Sequence, residues 1–186
     1  MQGAGLDLPL RTARVILRQM RRADAPALRR IVTLPDVGRM LFAFPPDWSE
    51  AGARRFVQDW QYWRGATRFR LAIDDGSGAL IGTVGAYAEG AAARAPQVFY
   101  FLDPAYTGRG LATEAVGAFI TALFERFDID ALGADVFADN PRSARVLARL
   151  GFGATGLDTG TSAARLEPAP IVLYRLTRSN WKANAP

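Results

Sequence analysis

The sequence predicts a mixed α/β (α+β) fold built as a single domain. Its 186 residues, of which 49% are hydrophobic and 22% charged, suffice to bury one core without disulfide or metal support. Segments with the alternation of strands come between segments with the apolar spacing of helices. A pair of glycines directly follows one predicted strand and opens a long helix. We expect residues 11–181 to form the domain, with residues 1–10 and 182–186 as tails.

The first third of the chain predicts one strand and two helices. The strand spans residues 13–18, and Asp24 is expected to cap the helix that follows and that Pro35 ends. A second helix is predicted after Ser49, which gives a partial capping signal. Its apolar residues recur at helical spacing: Phe56, Val57, Trp60 and Trp63.

The middle of the chain predicts antiparallel strands. Residues 68–73 and 80–87 flank a turn rich in Asp and Gly at residues 74–78, a pattern typical of a β-hairpin. Residues 98–102 predict the next strand, which stops at Asp103 and Pro104.

The last third adds two helices and two strands. Gly108 and Gly110 are expected to open a helix with one apolar face. Its residues are Leu111, Ala115, Phe119, Ala122 and Leu123. After a strand at residues 131–137, Asn140 is expected to cap a helix that Gly151 ends. A turn-rich piece and a strand at residues 171–176 complete the prediction.

Cysteine and histidine are both absent from the sequence. Their absence excludes thiolate nucleophiles, Ser-His-Asp triads, disulfides, and zinc sites built from His or Cys. The chemistry must therefore use carboxylates, hydroxyls, arginines and backbone amides, and we expect no metal.

The start of the chain lacks a basic segment followed by an apolar run, and no apolar stretch approaches membrane-spanning length. We therefore expect a cytoplasmic protein with no membrane partner. The net charge is +5, and Lys182 is the one lysine among 23 basic residues. The positive charge favours an anionic ligand, although a solvated arginine surface explains the same composition.

The glycine pair favours phosphate binding. A strand, a Gly-x-Gly turn and a helix start in series direct backbone N–H groups the same way as the positive end of the helix dipole. Gly108 and Gly110 would let a pyrophosphate approach the backbone. The same glycines also suit a tight strand-to-helix turn without a ligand, and by themselves they leave both interpretations open.

The residues around the glycines resemble the GNAT superfamily of acyl-CoA N-acyltransferases. The family signature is Gln or Arg, two variable residues, Gly, one variable residue, then Gly or Ala, and residues 107–112 read Thr-Gly-Arg-Gly-Leu-Ala. Thr107 departs from the first position. The longer run over residues 102–115 is similar to the branch that acetylates ribosomal-protein N-termini (RimJ/RimL-like), where an aromatic residue commonly replaces the Gln or Arg. Asn140 and Ser143, followed by an apolar helix and Gly-Phe, resemble the second landmark of that branch.

The resemblance implies a GNAT-like fold. Its centre would be a mostly antiparallel sheet of about seven strands with helices on both faces. The strands before and after the glycine-loop helix would form a parallel pair that splays apart and opens a cleft for a pantetheine arm.

The implied activity is direct transfer of the acetyl group of acetyl-CoA to a primary amine through a ternary complex. The amine would belong to a protein or peptide N-terminus or to a small molecule. Amides around Phe101 and Leu102 would hold the acyl carbonyl, and the Ser143 hydroxyl would protonate the departing thiolate. Tyr100 and Tyr106 are competing acids. The expected cofactor contacts are Phe101, Leu102, Thr107, Gly108, Arg109, Gly110, Leu111, Ala112, Thr113, Asn140 and Ser143.

The resemblance implies a carboxylate that accepts the proton of the amine. Many relatives carry a carboxylate on the strand before the loop, where this chain has Gln97. Because Gln cannot accept a proton at neutral pH, Glu89 is the predicted catalytic substitute. A solvated loop acid is the alternative for Glu89, and a neutral amine or a water relay would need no such residue.

Aromatic residues predict the acceptor side of the site. Phe44, Trp48 and Tyr87 are expected to bind the acceptor, with a role in the core or in a dimer as the alternative. The identity of the amine, the acyl chain beyond a default of acetyl, and the choice between monomer and homodimer stay open.

Three other functions compete with this assignment. A dinucleotide site needs a third Gly or Ala where the chain has Thr113. An arginine-rich nucleic-acid or protein-binding module lacks a recognised motif, so we expect no nucleic-acid partner. A catalytically weak relative that binds acyl-CoA is compatible with Gln97 and stays open.

Overall fold

One mixed sheet organises the residues that the structure describes, which are 6–58, 68–88 and 95–184 of this computed structural model. The strands are β1 (Leu10–Arg11), β2 (Ile16–Arg18), β3 (Arg68–Asp74), β4 (Leu80–Tyr87), β5 (Gln97–Leu102), β6 (Ala131–Phe137), β7 (Gly153–Gly160) and β8 (Ala169–Thr177). Their order across the sheet is β1-β2-β3-β4-β5-β6-β8-β7. Neighbouring strands run antiparallel except β5 and β6, which are parallel.

Helices cover both faces of this sheet, as predicted. They are α1 (Ala25–Val32), α2 (Pro35–Gly38), α3 (Glu50–Gln58), α4 (Leu111–Arg126), α5 (Pro141–Arg149) and α6 (Arg178–Asn184). The buried residues of α4 and α5 share one apolar cluster with the sheet. Those of α1 and α3 share a second cluster with the opposite face. The predicted fold class is therefore confirmed, with eight strands where about seven were expected.

The second core packs the aromatic segment that follows α2 against the sheet. The Phe44 ring, 7% exposed, lies 6.1 Å from the Phe101 ring of β5 and 5.3 Å from the Phe56 ring of α3. Gly52 N–H donates to Ser49 Oγ at 3.0 Å, so the predicted capping signal before α3 is confirmed. The other two predicted helix residues, Trp60 and Trp63, lie outside the described residues.

Strand β7 and helix α6 carry no clear signal in the sequence. Strand β7 is rich in Gly and Thr and exposed along almost its whole length, so it lacks the apolar alternation by which strands are predicted. Pairing with β8 holds it in place. Helix α6 follows β8 directly and is too short for a clear helical period.

Two local predictions near the N-terminus are wrong, and one short helix was missed. The first strand starts at Ile16, because a turn closed by the bond from Thr12 N–H to Val15 O precedes it. Helix α1 ends at Val32, before Pro35 as predicted, and Pro35 begins the short helix α2, which the sequence did not predict. The Asp24 side chain does not cap α1, because its carboxylate accepts bonds from Arg18 and from the backbone N–H of Arg21.

Arg18 sits between two buried carboxylates. It donates to Asp74 at 2.6 Å and to the two oxygens of Asp24 at 2.8 and 2.9 Å. Burial of Asp74 opposes its ionisation, but bonds from Arg18 and from the N–H groups of Gly76 and Gly78 outweigh it and lower the pKa of Asp74. The network ties β2, the start of α1 and the β3–β4 hairpin together.

Replacement of Arg18 by Met should lower the free energy of unfolding at pH 7 by about 3–5 kcal/mol, because two carboxylates would stay buried without their cation. An acidic group whose pKa is lower in the folded than in the unfolded state stabilises the fold at pH values above its unfolded-state pKa. This stabilisation is lost as the pH falls through the folded-state pKa. The difference between parent and variant should therefore shrink below about pH 4, where carboxylates protonate. Urea unfolding at several pH values measures it.

The matched control is Arg54→Met, because the Arg54–Glu50 pair is exposed, with side-chain accessibilities of 63% and 58%. Its expected effect is below about 1 kcal/mol. Equal losses in the two variants would contradict a structural role for the buried network.

Candidate functional site

The site starts where β5 and β6 separate. Gln97 and Gly133 form the register pair between these strands, and Gly133 N–H donates to Pro96 O at 3.0 Å. No further pair joins them along their described lengths, so they diverge toward Leu102 and Phe137. A cavity of about 700 Å³ lies at this gap and is lined by both strands, by the loop before α4 and by α5.

The alternation of β5 leaves a backbone donor at the gap. Asp103 N–H donates to Ile81 O at 2.8 Å, so the N–H groups of alternate residues point to β4 and those between them point to β6. By this alternation the Leu102 amide faces the gap. The Phe101 amide faces β4, and Phe101 instead contributes its ring to the wall of the cavity.

Two glycines shape the loop of residues 107–110, here called the glycine loop. Gly108 and Gly110 have φ angles of 77° and 78°, in the left-handed region where other residues are strained. A Cβ atom on Gly108 would meet no atom within 4 Å, so the backbone is open on that side. The predicted cofactor contacts of this region that line the cavity are Thr107, Gly108, Gly110, Leu111, Ala112 and Thr113. Arg109 does not line it, and its carbonyl accepts a bond from Arg14 at 2.7 Å.

Glu114 anchors the glycine loop to the N-terminal segment. Its carboxylate accepts bonds from Thr12 Oγ1 at 2.6 Å, Arg14 N–H at 2.8 Å and Arg14 Nε at 2.7 Å. Burial alone would raise the pKa of Glu114, but these bonds and the charge of Arg14 lower it. Sequence reasoning missed this role, and the acidic residue in the first turn of α4 was the available signal.

Ser143 and Tyr100 form a hydrogen-bonded pair inside the cavity. Their hydroxyl oxygens lie 2.8 Å apart, and Tyr100 Oη lies 3.1 Å from the Ser143 carbonyl. Asn140 Oδ1 accepts a bond from Ser143 N–H at 3.1 Å, which confirms the predicted helix cap. Burial raises the pKa of Tyr100 to about 12, so at neutral pH its phenol keeps its proton and can donate.

The third acid considered from sequence has another partner. Tyr106 lines the cavity, but its hydroxyl donates to Asp75 at 3.2 Å. The structure thus joins Ser143 to Tyr100 and directs the Tyr106 hydroxyl elsewhere.

Three arginines of α5 line the cavity without having been predicted. They are Arg142, Arg145 and Arg149, and all three are exposed. Their spacing of three and four residues places them on one side of the helix that Asn140 opens. The spacing after a predicted cap was the signal that could have found them.

The predicted acceptor residues divide between the cavity and the layer behind it. Phe44 and Tyr87 line the cavity. Trp48 lies behind this wall, with its ring 4.8 Å from that of Phe44 and 5.6 Å from that of Phe56. Glu89 lies outside the described residues.

Two further polar side chains reach the cavity from the paired ends of β5 and β6. Gln97 lies over Gly133, where a Cβ atom would be 2.4 Å from Gln97 Nε2. The buried Oε1 of Gln97 has no hydrogen-bond partner among the described residues. Asp135 lines the cavity two residues farther along β6. Burial, and secondarily the charge of Asp158, raise the pKa of Asp135. Sequence reasoning missed Asp135, since it stands within an ordinary strand pattern.

Neither a membrane span nor a metal centre is found among residues 6–58, 68–88 and 95–184. No helix there combines the length and apolar character needed to cross a bilayer. No group of three or more Asp and Glu side chains is placed to hold a metal ion.

Comparison with known proteins gives a family match and a close likeness of fold. Residues 14–153 match the family model described as an acetyltransferase (GNAT) domain. The uncharacterized N-acetyltransferase YoaA of Bacillus subtilis (strain 168) is 29% identical over 151 residues, which are 80% of this chain and 84% of YoaA.

Two solved structures illustrate the shared fold. Mycobacterium smegmatis RimJ in complex with CoA-disulfide has a TM-score of 0.74 at 21% identity, over 89% of this chain and 82% of RimJ. Spermidine N-acetyltransferase from Vibrio cholerae in complex with CoA and spermine has a TM-score of 0.78 at 16% identity, over 92% of this chain and 99% of that chain.

Replacement of Glu114 by Gln should loosen the glycine loop, because the amide cannot accept all the bonds that Thr12 and Arg14 donate. We expect amide hydrogen exchange at residues 107–113 to accelerate by about tenfold or more, a local opening free energy lower by about 1.4 kcal/mol. Exchange mass spectrometry measures it.

Glu125→Gln is the matched control, because Glu125 is exposed on the same helix. It should leave exchange in the loop unchanged. Equal exchange in the parent and in Glu114→Gln would show that the loop holds its shape without this anchor.

Proposed function

Because the chain belongs to the GNAT acetyltransferase family, we propose that it transfers the acetyl group of acetyl-CoA directly to a primary amine within a ternary complex. One observation carries the proposal. The gap between β5 and β6 brings the glycine loop, the Leu102 amide and the Tyr100–Ser143 pair to the wall of a single cavity.

The anionic end of acetyl-CoA fits one half of this cavity. The glycine loop would bind its pyrophosphate through backbone N–H groups at the positive end of the α4 dipole. The open space beside Gly108 supports this assignment, because no side chain obstructs the approach there. Arg142, Arg145 and Arg149 add positive charge from α5, and Thr113 adds a hydroxyl.

The Leu102 amide and the Tyr100–Ser143 pair would serve the reacting end. Leu102 N–H would donate to the acyl carbonyl and stabilise the oxyanion that develops there. The Ser143 hydroxyl, hydrogen-bonded to Tyr100, would donate to the sulfur as the C–S bond breaks. A phenol with a pKa of about 12 stays protonated until that moment.

A screen of amines tests the proposal. Peptide N-termini, polyamines, amino acids and aminoglycosides would be incubated with acetyl-CoA, and the released thiol would be measured. The spermidine enzyme among the structural neighbours makes polyamines the first amines to test. The resemblance of residues 102–115 to the branch that acetylates ribosomal-protein N-termini adds those N-termini. Binding of acetyl-CoA without turnover on any amine would favour a catalytically weak relative, and the proposed reaction would be wrong.

Saturating acetyl-CoA should raise the melting temperature, since a ligand at about 100 times its Kd stabilises the native state by about 2.7 kcal/mol. Gly108→Val should abolish the shift, because its side chain would occupy the open space beside the loop through which the pyrophosphate approaches. Differential scanning fluorimetry with and without acetyl-CoA measures both.

Gly76→Val is the matched control, since Gly76 has a similar φ of 91° and open space in the β3–β4 turn. Gly76→Val should introduce a similar backbone strain but keep the rise in melting temperature on addition of acetyl-CoA. A parent melting curve that acetyl-CoA leaves unmoved would refute cofactor binding.

Ser143→Ala and Tyr100→Phe should each lower kcat by roughly 10- to 1000-fold, the scale for losing a positioned acid, with acetyl-CoA affinity within a few-fold of the parent. The kcat of the double variant should be only slightly below that of the less active single variant, because the two hydroxyls act together. Steady-state kinetics with an amine from the screen measures this.

Tyr106→Phe is the control, because its hydroxyl is bonded to Asp75. It should keep kcat within about twofold. If both Ser143→Ala and Tyr100→Phe retain full turnover, the pair has no part in thiolate departure.

A further inference from the structure

The two faces of the sheet give the cavity two chemically different halves. Side chains alternate along a strand, so Val136 points to the core shared with α4 and α5, while Asp135 and Phe137 point to the opposite face. Phe137 on that face stacks on Phe42 at 4.8 Å. Asp135 therefore reaches the cavity on the side of the aromatic segment and α3, opposite the α5 arginines.

Gln97 shares this face and lies next to Asp135. The register pair of Gln97 with Gly133 puts both on one side, and Asp135 follows two residues later, about 6.6 Å along the strand. No hydrogen bond joins the Asp135 carboxylate to another described residue, and the buried Gln97 Oε1 is likewise without a partner among them. Two neighbouring acceptors with free lone pairs are suited to an ammonium group.

Asp135 is also nearer the reaction centre than Gln97. The strands separate beyond the Gln97–Gly133 pair, and Asp135 stands on the open side of that pair, toward Leu102 and Ser143. Asp36 is the other carboxylate among the described residues that line the cavity, and it is exposed in the first turn of α2.

We propose that Asp135 is the catalytic base of this enzyme, an inference that rests on the proposed acetyl transfer. Its carboxylate takes a proton from the acceptor ammonium, which frees the nitrogen lone pair to attack the acyl carbon. The N–C bond forms and the C–S bond breaks. The Tyr100–Ser143 pair gives a proton to the sulfur and regains one from the new amide nitrogen, and Asp135 releases its proton to solvent.

The same placement defines the acceptor as a cationic primary amine. Gln97 accepts a hydrogen bond from the ammonium group beside Asp135, while the rings of Phe44, Tyr87 and Phe99 surround its carbon chain. An acceptor that carries its own carboxylate close to the amine would be disfavoured, because that carboxylate would be repelled by Asp135.

The charged and titratable groups around Asp135 define the pH dependence. Asp158 lies on β7, and Arg175 of β8, the partner of Gly133, is on the same sheet face. Asp36, Arg70 and Tyr87 line the same cavity from α2, β3 and β4. Burial and Asp158 raise the pKa of Asp135. Because a base acts only when deprotonated, kcat/KM should fall as pH decreases through this raised value.

The experiment compares pH profiles of kcat/KM for the parent, Asp135→Asn and Asp158→Asn with one amine from the screen. Asp135→Asn should lower kcat/KM by about 100- to 10,000-fold and remove the acid limb. Asp158→Asn should keep the plateau and move the acid limb to lower pH, because a neighbouring negative charge is gone. Gln97→Glu added to Asp135→Asn should restore at least about tenfold and bring back an acid limb.

The outcomes separate this inference from the function on which it rests. The acetyl-CoA melting shift must persist in every variant, which shows that each is folded with its cofactor half intact. Two results would overturn the base role alone. In the first, Asp135→Asn keeps the parental kcat/KM. In the second, Asp135→Asn lowers kcat/KM but keeps the parental acid limb, and adding Gln97→Glu does not restore the rate. A parent that acetylates no amine in the screen overturns the proposed function and the base role with it.

Discussion

The site depends on the divergence of two neighbouring strands in the middle of the sheet. Parallel strands β5 and β6 share the Gln97–Gly133 register pair and then diverge, whereas β6 continues to pair with β8 to its end. The backbone groups that this divergence leaves unpaired need other partners, because buried amides seldom stay without hydrogen bonds. The divergence of β5 and β6 therefore leaves backbone N–H and C=O groups free to form hydrogen bonds with a substrate that carries amide groups.

The fold was largely predictable because its elements carry local signals. The hairpin around residues 74–78, the helix cap at Asn140 and the glycines at 108 and 110 depend on backbone conformations that few residue types adopt. Strand β7 was not predicted because its Gly and Thr residues are exposed and give no apolar alternation. Pairing with β8 holds it in the sheet.

The site was predictable where it follows a motif and unpredictable where it depends on distant contacts. The glycine loop and Ser143 follow the resemblance, and the bond from Ser143 to Tyr100 spans 43 residues of sequence. The anchor between Glu114 and Arg14 spans 100 residues. Asp135 reaches the cavity because β6 lies beside the gap next to β5, a position set by the strand order, which no local pattern encodes.

The contact between Gln97 and Gly133 constrains how this site can evolve. A Cβ atom on Gly133 would lie 2.4 to 2.5 Å from the amide atoms of Gln97, so an alanine at position 133 requires the Gln97 side chain to move. The effects of substitutions at positions 97 and 133 are therefore coupled. As long as Gly133 is kept, Gln97 can be replaced by Glu, which has the same size. The acidic group of the site could then stand at position 97 instead of position 135.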